Sequence, residues 1–433
     1  MMGNRYDKYK DSGVEWIGEI PEHWEIRKLK NIFLLSTGTT PKEFDKISEE
    51  DNLINWYTPA DILDGCNDLF NSQRKLSEKV ICENNISLFP IGTLLYVGIG
   101  ASAGKIGYAN ENGYSNQQIT GLIPLECYSR FYFYYLSVLK DKIRDNAFFT
   151  TLPIINNVYL GQELIPYPLS SEQQSIAAYL DQKCGEIDEL ITLQEKMITK
   201  LQSYKQSVIT EAVTKGLDKN VPLKDSGVEW IGEIPEHWGS RRIKTFSLVK
   251  RGASPRPIDD PKYFDENGEF AWVRIADVSA SGKYLECTTQ KLSKLGSSLS
   301  VKRYPGDIFI SIAGTVGKPI ITNIKCCIHD GFVYFPNMKG ISVEYLYYVF
   351  LSGQPYLGLG KMGTQLNLNT ETIGNIYIPY PNIVEQTKIV YFLCQKCGEI
   401  DELISIKQQK IEKLKEYKKS LIFECVTGKR KVC

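Results

Sequence analysis

The sequence predicts an α+β protein with a pseudo-two-fold internal repeat, in which two globular domains are separated by two long helices that form an antiparallel coiled coil. Residues 11–24 and 225–238 both read DSGVEWIGEIPEHW, an identity over the whole segment. Each half of the chain also contains a long proline-free stretch whose apolar residues recur in steps of four and three. Self-similarity on this scale indicates a duplicated structural unit, and the apolar rhythm indicates helices.

The duplication is strongest in the segments that frame each half. Residues 183–191 and 396–404 both read KCGEIDELI, at an offset of 213 residues. In contrast, residues 40–90 and 255–305 share little beyond turn positions and an aromatic-to-Asp stretch, which is WYTPAD in one half and WVRIAD in the other. A shared framework with different contents predicts that the two halves bind different targets on the same scaffold.

The globular part of each half is predicted to consist of short strands and turns. β-branched and aromatic runs such as SLFPIGTLLYVGIG from Ser87 and DIFISIAG from Asp307 alternate with Gly, Pro, Asn and Ser. This alternation is typical of α+β domains with many short strands. The predicted globular domains are residues 1–168 and 219–381, and the predicted helical segments are residues 169–218 and 382–433.

The stretches from Glu172 to Thr214 and from Glu385 to Thr427 are predicted to be helices with a coiled-coil seam. They contain no proline, and their apolar spacing is that of the a and d positions of a heptad. The predicted seam comprises Leu180, Cys184, Ile187, Ile191, Ile198, Leu201, Val208 and Ala212 in the first helix, and Leu393, Cys397, Ile400, Ile404, Ile411, Leu414, Leu421 and Cys425 in the second.

Polar residues interrupt both seams at matching places, Gln194 and Lys205 in the first helix and Lys407 and Lys418 in the second. Neither helix could bury such a seam alone, so each helix is expected to pack on the other. A whole globular domain connects the two helices, which allows an antiparallel pair with the domains at opposite ends. The alternative is that each helix is an ordinary amphipathic helix packed on its own domain.

Composition restricts the function classes. Lys and Arg total 51, as do Asp and Glu, so a nucleic-acid surface would have to be a local basic patch. No apolar run is long enough to span a membrane, and the polar start does not resemble a signal peptide, so a cytoplasmic location is expected. The eleven cysteines are then expected to be reduced. Cys394 and Cys397 form a CxxC without a second pair, so no metal site is predicted.

Motifs of catalysis are missing from the sequence. No Asn/Asp-Pro-Pro-aromatic tetrapeptide indicates a methyltransferase, and no Pro-Asp with a following acidic-x-Lys supports a nuclease. GLGKMG from Gly358 fits GxGxxG, but polar residues follow it, so a loop is predicted. The Gly-Lys pairs at Gly104 and Gly317 lack the Ser or Thr of a phosphate-binding loop. His23 and His237 lie in the repeated EHW and are expected to fix the start of each domain. No catalytic residue is therefore predicted.

Taken together, these segments resemble the specificity subunit (HsdS) of type I restriction-modification systems over essentially the whole chain. The resemblance is carried by SGVEWIGEIPEHW at the start of each half, by IPYP at Ile165 and Ile378 followed by EQ, by GTQLNL from Gly363, and by the two KCGEIDELI helices. One departure is FFTTLPIINN from Phe148, where the second half has KMGTQLNLN from Lys361. The corresponding loop of the first half is therefore harder to assign.

The resemblance implies that each globular domain is a target recognition domain for one half of a bipartite site in double-stranded DNA. The helices would set the spacing, since 43 residues at about 1.5 Å each span roughly 65 Å, and would dock two methylation subunits. Restriction subunits would complete an ATP-dependent nuclease. S-adenosylmethionine, ATP and Mg²⁺ would bind those partners, and this chain would have no cofactor, no catalytic role and no membrane partner.

Base recognition commonly uses Arg or Lys for guanine, Asn or Gln for adenine, and small hydroxyl residues on flexible loops. Lys105 and Lys318 are the phosphate candidates, because each follows a glycine at matching points of the repeat. Gln117, Arg256 and Arg274 are the base candidates, because they differ between the halves. The predicted DNA-binding residues are Thr39, Thr40, Lys42, Ser102, Lys105, Asn116, Gln117 and Gln118 in the first domain, and Arg251, Ser254, Arg256, Arg274, Thr315, Lys318, Gln365 and Asn367 in the second.

Two other functions stay open from the sequence. The chain could be the specificity chain of a fused enzyme, in which one partner polypeptide performs both methylation and cleavage. It could also be a scaffold that binds proteins through its helices and its duplicated domains, without DNA. Neighbouring genes would decide the first alternative, and loss of sequence-specific DNA binding in the presence of methylation subunits would favour the second.

Overall fold

The structure, a computed structural model, describes seven stretches of the chain. Two units divide the chain by their internal contacts: Met1–Gln194 with Gln409–Cys433, and Glu195–Gln408. Each unit therefore contains one globular domain and a segment of both long helices. The described residues are 5–42, 53–63, 67–84, 86–145, 148–149, 153–356 and 368–432.

In the first unit, the β-branched and aromatic runs form short strands around an aromatic-rich helix. The strands are β1 (Tyr9–Asp11), β2 (Glu19–Pro21), β3 (Glu25–Lys28), β4 (Phe33–Thr37), β5 (Leu53–Tyr57), β6 (Asp68–Leu69), β7 (Arg74–Ser77), β8 (Leu94–Val97), β9 (Ile106–Ala109), β10 (Gly113–Ser115), β11 (Ile119–Pro124), β12 (Phe148–Phe149), β13 (Pro153–Ile154) and β14 (Leu164–Tyr167). The helices are α1 (Glu78–Asn84), α2 (Ser129–Asp145), α3 (Asn157–Gln162) and α4 (Ser170–Lys215), of which residues 170–194 belong to this unit.

The second unit follows the same plan. Its strands are β15 (Leu223–Asp225), β16 (Glu233–Pro235), β17 (Gly239–Arg242), β18 (Lys250–Arg251), β19 (Phe270–Val273), β20 (Tyr284–Leu285), β21 (Gln290–Leu292), β22 (Val301–Arg303), β23 (Ile308–Ser311), β24 (Pro319–Thr322), β25 (Cys326–Ile328), β26 (Phe332–Tyr334) and β27 (Tyr377–Tyr380). Its helices are α5 (Ile275–Ala280), α6 (Lys294–Ser298), α7 (Val343–Leu351), α8 (Thr370–Asn375) and α9 (Ile383–Val426), of which residues 383–408 belong to this unit.

The sheets have the same strand order in both units. Within the described residues, the larger sheet runs β4-β11-β8-β9-β6 in the first unit and β18-β26-β23-β24-β20 in the second. The smaller sheet runs β10-β5-β7 in the first unit and β22-β25-β19-β21 in the second, where β22 is an additional edge strand. The regions that share little sequence therefore share a topology. Trp56 in β5 and Trp272 in β19, which begin the aromatic-to-Asp stretches, are both 2% exposed.

An aromatic helix fills the main core of each unit. Residues 131–135 of α2 and residues 345–350 of α7 are buried. The hydroxyl group of Tyr132 donates to the carbonyl oxygen of Pro166 at 3.2 Å, and that of Tyr345 donates to Pro379 at the same distance. Both prolines lie in the IPYP strands β14 and β27, so each IPYP strand is tied to the aromatic helix of its own unit.

The helix pair is antiparallel in each unit, as predicted. In the first unit Lys418 of α9 donates to both carboxylate oxygens of Asp188 of α4 at 2.7 Å. In the second unit Lys205 of α4 makes the equivalent bonds to Asp401 of α9 at 2.7 Å. The helices run from Ser170 to Lys215 and from Ile383 to Val426. Every predicted seam residue is buried or half-buried, as a seam between two helices requires, and the assignment of the individual seam residues stays a prediction.

In the ion pair of the first unit, removing the acidic charge and removing the basic charge should change stability differently. Lys418 is 16% exposed and Asp188 is 55% exposed, so Asp188→Asn leaves a largely buried ammonium without its partner. We expect a loss of about 1 kcal/mol of unfolding free energy. Lys418→Met removes the buried charge and keeps the apolar stem, so it should leave stability unchanged or raise it. Chemical denaturation of both variants tests this difference, and an equal loss from both would contradict it.

The identical opening motif of each half, residues 11–24 and 225–238, binds the start of the long helix in its own unit. His23 lies 2.9 Å from a carboxylate oxygen of Glu172, and Trp24 donates to the same side chain at 3.4 Å. The next residue, Gln173, is fully buried. Its amide accepts from the backbone of Tyr128 and donates to the backbone of Pro168, both at 2.8 Å. These bonds explain why the EQ pair and the EHW triplet are repeated together.

The second unit repeats the arrangement at Glu385, whose carboxylate lies 2.8 Å from His237 and accepts from Trp238 at 3.1 Å. Burial alone would raise the pKa of Glu385, but the bonds from His237 and Trp238 outweigh it and hold the pKa below the ordinary value of 4.5. A carboxyl group whose pKa is lowered by folding stabilises the protein at pH values above its ordinary pKa. That stability is lost as the pH falls through the pKa of the folded state.

Glu385→Gln should therefore destabilise the chain by about 1 kcal/mol at pH 7. The loss is modest because the carboxylate is partly exposed and water weakens its bonds. The difference from the unsubstituted chain should shrink as the pH falls below 4.5, because the carboxyl of the unfolded chain is protonated there before the native carboxylate is. Thermal melting between about pH 3 and pH 8 measures this change, as the difference in melting temperature between the variant and the unsubstituted chain at each pH. Glu236→Gln, at an exposed position of the same motif, is the control. A loss that is constant at all pH values would refute the ionic role of Glu385.

Among the residues that the structure describes, no helix combines the length and apolar character needed to cross a membrane.

Candidate nucleic-acid interface

Two parallel strands bring variable residues to one sheet edge in each unit. β5 and β10 are parallel neighbours in the first unit, as are β19 and β25 in the second, so their carboxyl ends lie side by side. Thr58 and Asn116 follow the first pair of strands, and Arg274 and His329 follow the second. The backbone amide of Asn116 donates to the carbonyl of Tyr57 at 3.1 Å, which joins the two strand ends.

A glycine lets a third segment approach this edge. The amide of Gly252 donates to Phe332 at 2.9 Å, and that of Gly38 donates to Ile119 at 3.0 Å. A β-carbon at Gly252 would lie 2.7 Å from the carbonyl oxygen of Ile328, which is closer than a real β-carbon contact. At Gly38 it would meet backbone oxygens in the same way. Only glycine therefore permits this approach in either unit.

The three segments form one cluster in each unit. We call residues 38–40, 58 and 116–118 the first loop cluster, and residues 252–256, 274 and 329–331 the second loop cluster. A neighbouring loop joins each cluster, because the amide of Gly98 donates to the carbonyl of Gln118 and that of Ile312 donates to the carbonyl of Gly331, both at 2.8 Å.

Side chains of the first loop cluster bond to one another through uncharged groups. The hydroxyl group of Thr40 donates to the amide oxygen of Gln117. The amide nitrogen of Asn116 donates to the amide oxygen of Gln118 at 3.0 Å. Gln117 and Thr40 are exposed, and Thr39 contributes its carbonyl oxygen to the indole of Trp56 at 3.2 Å. The result is an exposed set of amide and hydroxyl groups.

Charged groups meet in the second loop cluster, around Asp330. Its carboxylate accepts from the hydroxyl of Ser254 at 2.8 Å and from the guanidinium of Arg256 at 3.1 Å. Arg251 donates through Nε to the backbone carbonyl of the same residue. The Ser254 bond, with help from Arg256 and Arg251, lowers the pKa of Asp330 although burial opposes it. Burial lowers the pKa of neighbouring His329, and Arg251 and Arg274 lower it further while Asp330 opposes them.

An aspartate holds the turn after β5 and after β19. Asp61 accepts from the backbone amide of Thr58 at 2.7 Å, and Asp277 accepts from that of Arg274 at 2.8 Å. Their other carboxylate oxygens accept from the backbone amides of Gln73 at 2.7 Å and of Thr289 at 3.3 Å. The same clamp therefore presents threonine in one domain and arginine in the other.

The predicted phosphate candidates lie in the neighbouring loop. Lys318 donates to the backbone carbonyls of Ser279 at 3.0 Å and Ser281 at 2.8 Å, and burial lowers its pKa. Since an ammonium group has three protons, one is left for another partner. The hydroxyl of Thr315 lies 2.7 Å from that of Ser279. Lys105 is half-buried at the equivalent place.

Most predicted DNA-binding residues lie in or beside the loop clusters. Lys42 and Ser102 lie in adjoining loops, and the backbone amide of Lys42 bonds to the side chain of Asn84 at 3.2 Å. Gln365 and Asn367 lie outside the described residues, as does the rest of the GTQLNL motif up to residue 367. No residue here is shown to contact DNA, so each assignment stays a prediction.

Sequence reasoning missed Asp330, the residue that organises the second loop cluster, and also Thr58. The repeat contains the signal for Asp330, since the offset of 213 residues pairs Asp330 with Gln117, which was predicted. Thr58 stands at the place of Arg274 in the WYTPAD and WVRIAD stretches. Comparing the two halves position by position would therefore have found both.

Comparison with known proteins covers both halves. The family model described as the type I restriction modification DNA specificity domain matches residues 21–203 and 235–416. The MjaVIII type I restriction enzyme specificity subunit of Methanocaldococcus jannaschii is 25% identical over 433 residues, which cover 95% of this chain and 94% of that relative. The MjaIX specificity subunit of the same organism is 28% identical over 273 residues, 60% of this chain and 59% of that relative.

One solved structure shares the fold of the whole chain. It comes from work on complex assembly and conformational transition of the type I R-M system, and its TM-score is 0.74 at 16% sequence identity. The match covers 94% of this chain and 98% of that chain.

Proposed function

Since the chain belongs to the family that carries the type I restriction-modification DNA specificity domain, we propose that it selects the DNA sequence on which a methylation and restriction complex acts. Each globular domain is a target recognition domain for one half of a bipartite site in double-stranded DNA. The chain itself has no catalytic role. It works in the cytoplasm, where S-adenosylmethionine, ATP and Mg²⁺ bind its partner subunits.

The observation that carries this proposal is a matched pair of loop clusters with different chemistry. The strand order, the close glycine approach and the aspartate clamp are the same in both units. The exposed groups differ, because Thr40 and Gln117 present uncharged groups, whereas Asp330 accepts bonds from Ser254 and from two arginines. Backbone contacts common to both domains would position the DNA, and the differing side chains would recognise its bases.

Partner docking is assigned to apolar side chains on the long helices. In the first unit Leu190 and Leu193 of α4 are 44% and 46% exposed, and in the second unit Leu403 and Ile406 of α9 are 47% and 53% exposed. The offset of 213 residues relates the two pairs. Exposed apolar surface of this kind marks protein interfaces. Two equivalent surfaces fit two copies of one partner, the methylation subunit, to which restriction subunits then bind.

The experiment that tests the proposal is co-expression of the chain with methylation subunits from its own genome. Methylated bases in cellular DNA are then mapped by single-molecule sequencing. We expect a split motif, and exchanging residues 25–165 for those of a relative should change one half of it. A stable complex that methylates nothing would contradict the proposal and favour a scaffold without a DNA target.

A further inference from the structure

Gln117 and Asp330 occupy equivalent positions and have equivalent hydroxyl partners. Each lies two residues after a strand of the smaller sheet, β10 or β25. Thr40 bonds to Gln117 and Ser254 bonds to Asp330, so a hydroxyl group from the glycine-led segment meets the side chain at this position in both domains. The framework is therefore the same, while the group that it presents to solvent is an amide in one domain and a carboxylate-bound guanidinium in the other.

Asp330 holds Arg256 in a way that stability does not explain. Arg256 is 72% exposed and Asp330 is 40% exposed, and an ion pair this open to water contributes little to folding. The contact does fix the orientation of a long and otherwise mobile side chain. A guanidinium has five N–H donors, so the bond to Asp330 leaves enough donors for the paired acceptors O6 and N7 of a guanine.

We propose that this position sets the base that each domain recognises, with Asp330 as the positioning residue that directs Arg256 to a guanine. In the first domain Thr40 orients Gln117 toward an adenine. The amide oxygen of Gln117 retains a second lone pair for the N6 amino group of adenine, and its amide nitrogen can donate to N7. The inference rests on the proposed function, because it assumes that both domains bind DNA.

The test uses the complete complex with its methylation subunits, after the wild-type motif has been mapped by sequencing of methylated DNA. Arg256→Ala and Arg256→Lys should lower the preference for guanine at one position of one half-site by about tenfold or more, since lysine lacks the two-pronged geometry of arginine. Asp330→Asn should lower the preference at that same position. The control is Glu269→Gln, which removes a carboxylate from the exposed ion pair with Lys325 in the same domain.

One readout separates positioning from a structural role. Asp330→Asn removes a negative charge, so its affinity for DNA without the motif should be unchanged or higher, while its preference for guanine falls. A duplex with 7-deazaguanine at the assigned position lacks the N7 acceptor. The wild-type complex should bind it about tenfold more weakly, whereas the Arg256→Ala complex should not discriminate against it. This measurement tests the contact between Arg256 and guanine even if the Asp330 variant does not fold.

The first domain provides the parallel test. Gln117→Ala should relax the preference for adenine at one position of the other half-site, and Thr40→Val should relax the same position to a smaller degree. An unchanged motif in Asp330→Asn, changes at different positions in the Arg256 and Asp330 variants, or no sensitivity to 7-deazaguanine would overturn the inference. A wild-type complex without any split motif would instead count against the proposed function.

Discussion

Gly252→Ala should remove most of the sequence specificity of DNA binding while leaving assembly with methylation subunits intact. The added methyl group would lie 2.7 Å from the carbonyl oxygen of Ile328 and closer still to that of His329. Both are backbone atoms, so the glycine-led segment must move away from the sheet edge. That movement separates Ser254 and Arg256 from Asp330. Specific binding commonly exceeds nonspecific binding by roughly a thousandfold or more, and we expect most of that difference to be lost.

Binding of a duplex that carries the mapped motif measures this loss, at one fixed salt concentration because phosphate contacts depend on salt. Gly38→Ala is the equivalent substitution in the first domain and should cause a comparable loss. Gly239→Ala is the control, since nothing lies within 4 Å of a β-carbon at that exposed position. Full specific binding by a folded Gly252→Ala complex would show that the close approach of this segment does not matter for recognition.

The double substitution Leu403→Glu with Ile406→Glu should produce a complex with one methylation subunit in place of two. Both side chains are about half exposed on α9, and burying two carboxylates in an apolar interface is strongly unfavourable. Loss of a hot-spot contact weakens an interface by about 2 kcal/mol or more, so the loss of two such contacts lowers the affinity by roughly a thousandfold.

Native mass spectrometry of the co-expressed complex gives the subunit count directly. Leu190→Glu with Leu193→Glu is the equivalent change on α4, and the two double substitutions together should leave no bound methylation subunit. Gln408→Glu with Gln409→Glu adds the same charge at exposed polar positions of α9 and should leave both subunits bound. Two bound subunits in the Leu403 and Ile406 variant would place the docking surface elsewhere.

Much of the framework was predictable because the chain is duplicated, and segments that are identical in both halves indicate contacts that both units need. The identical opening motifs, the repeated EQ pair and the heptad spacing all come from contacts that both units need. The bonds from His23 to Glu172 and from His237 to Glu385 show such a shared requirement. The antiparallel helix pairing also followed from the sequence. Neither seam can be buried by its own helix, and the whole domain between the two helices allows the second helix to pack on the first in the opposite direction.

The organisation of the loop clusters was less predictable. Arg251, Ser254 and Arg256 were chosen for residue type, yet nothing local indicates that they meet at Asp330, about 75 residues further along the chain. That meeting depends on the pairing of β18 with β26 in the larger sheet and on the turn that joins β26 to β25 of the smaller sheet, and strand order is set by packing over the whole domain. For the same reason Lys318 could not be predicted to donate to Ser279 and Ser281.

The sequence by itself determined that this protein has a duplicated scaffold, two long heptad helices and two domains with different contents. Repeats and the spacing of apolar residues can be read directly from the sequence, because they do not depend on which distant segments meet. Tertiary structure alone decided which side chains share a site. Gln117 and Asp330 are each bonded by a hydroxyl group that lies 77 or 76 residues away in the sequence. Such contacts arise only when the close approach at Gly38 and Gly252 closes each loop cluster.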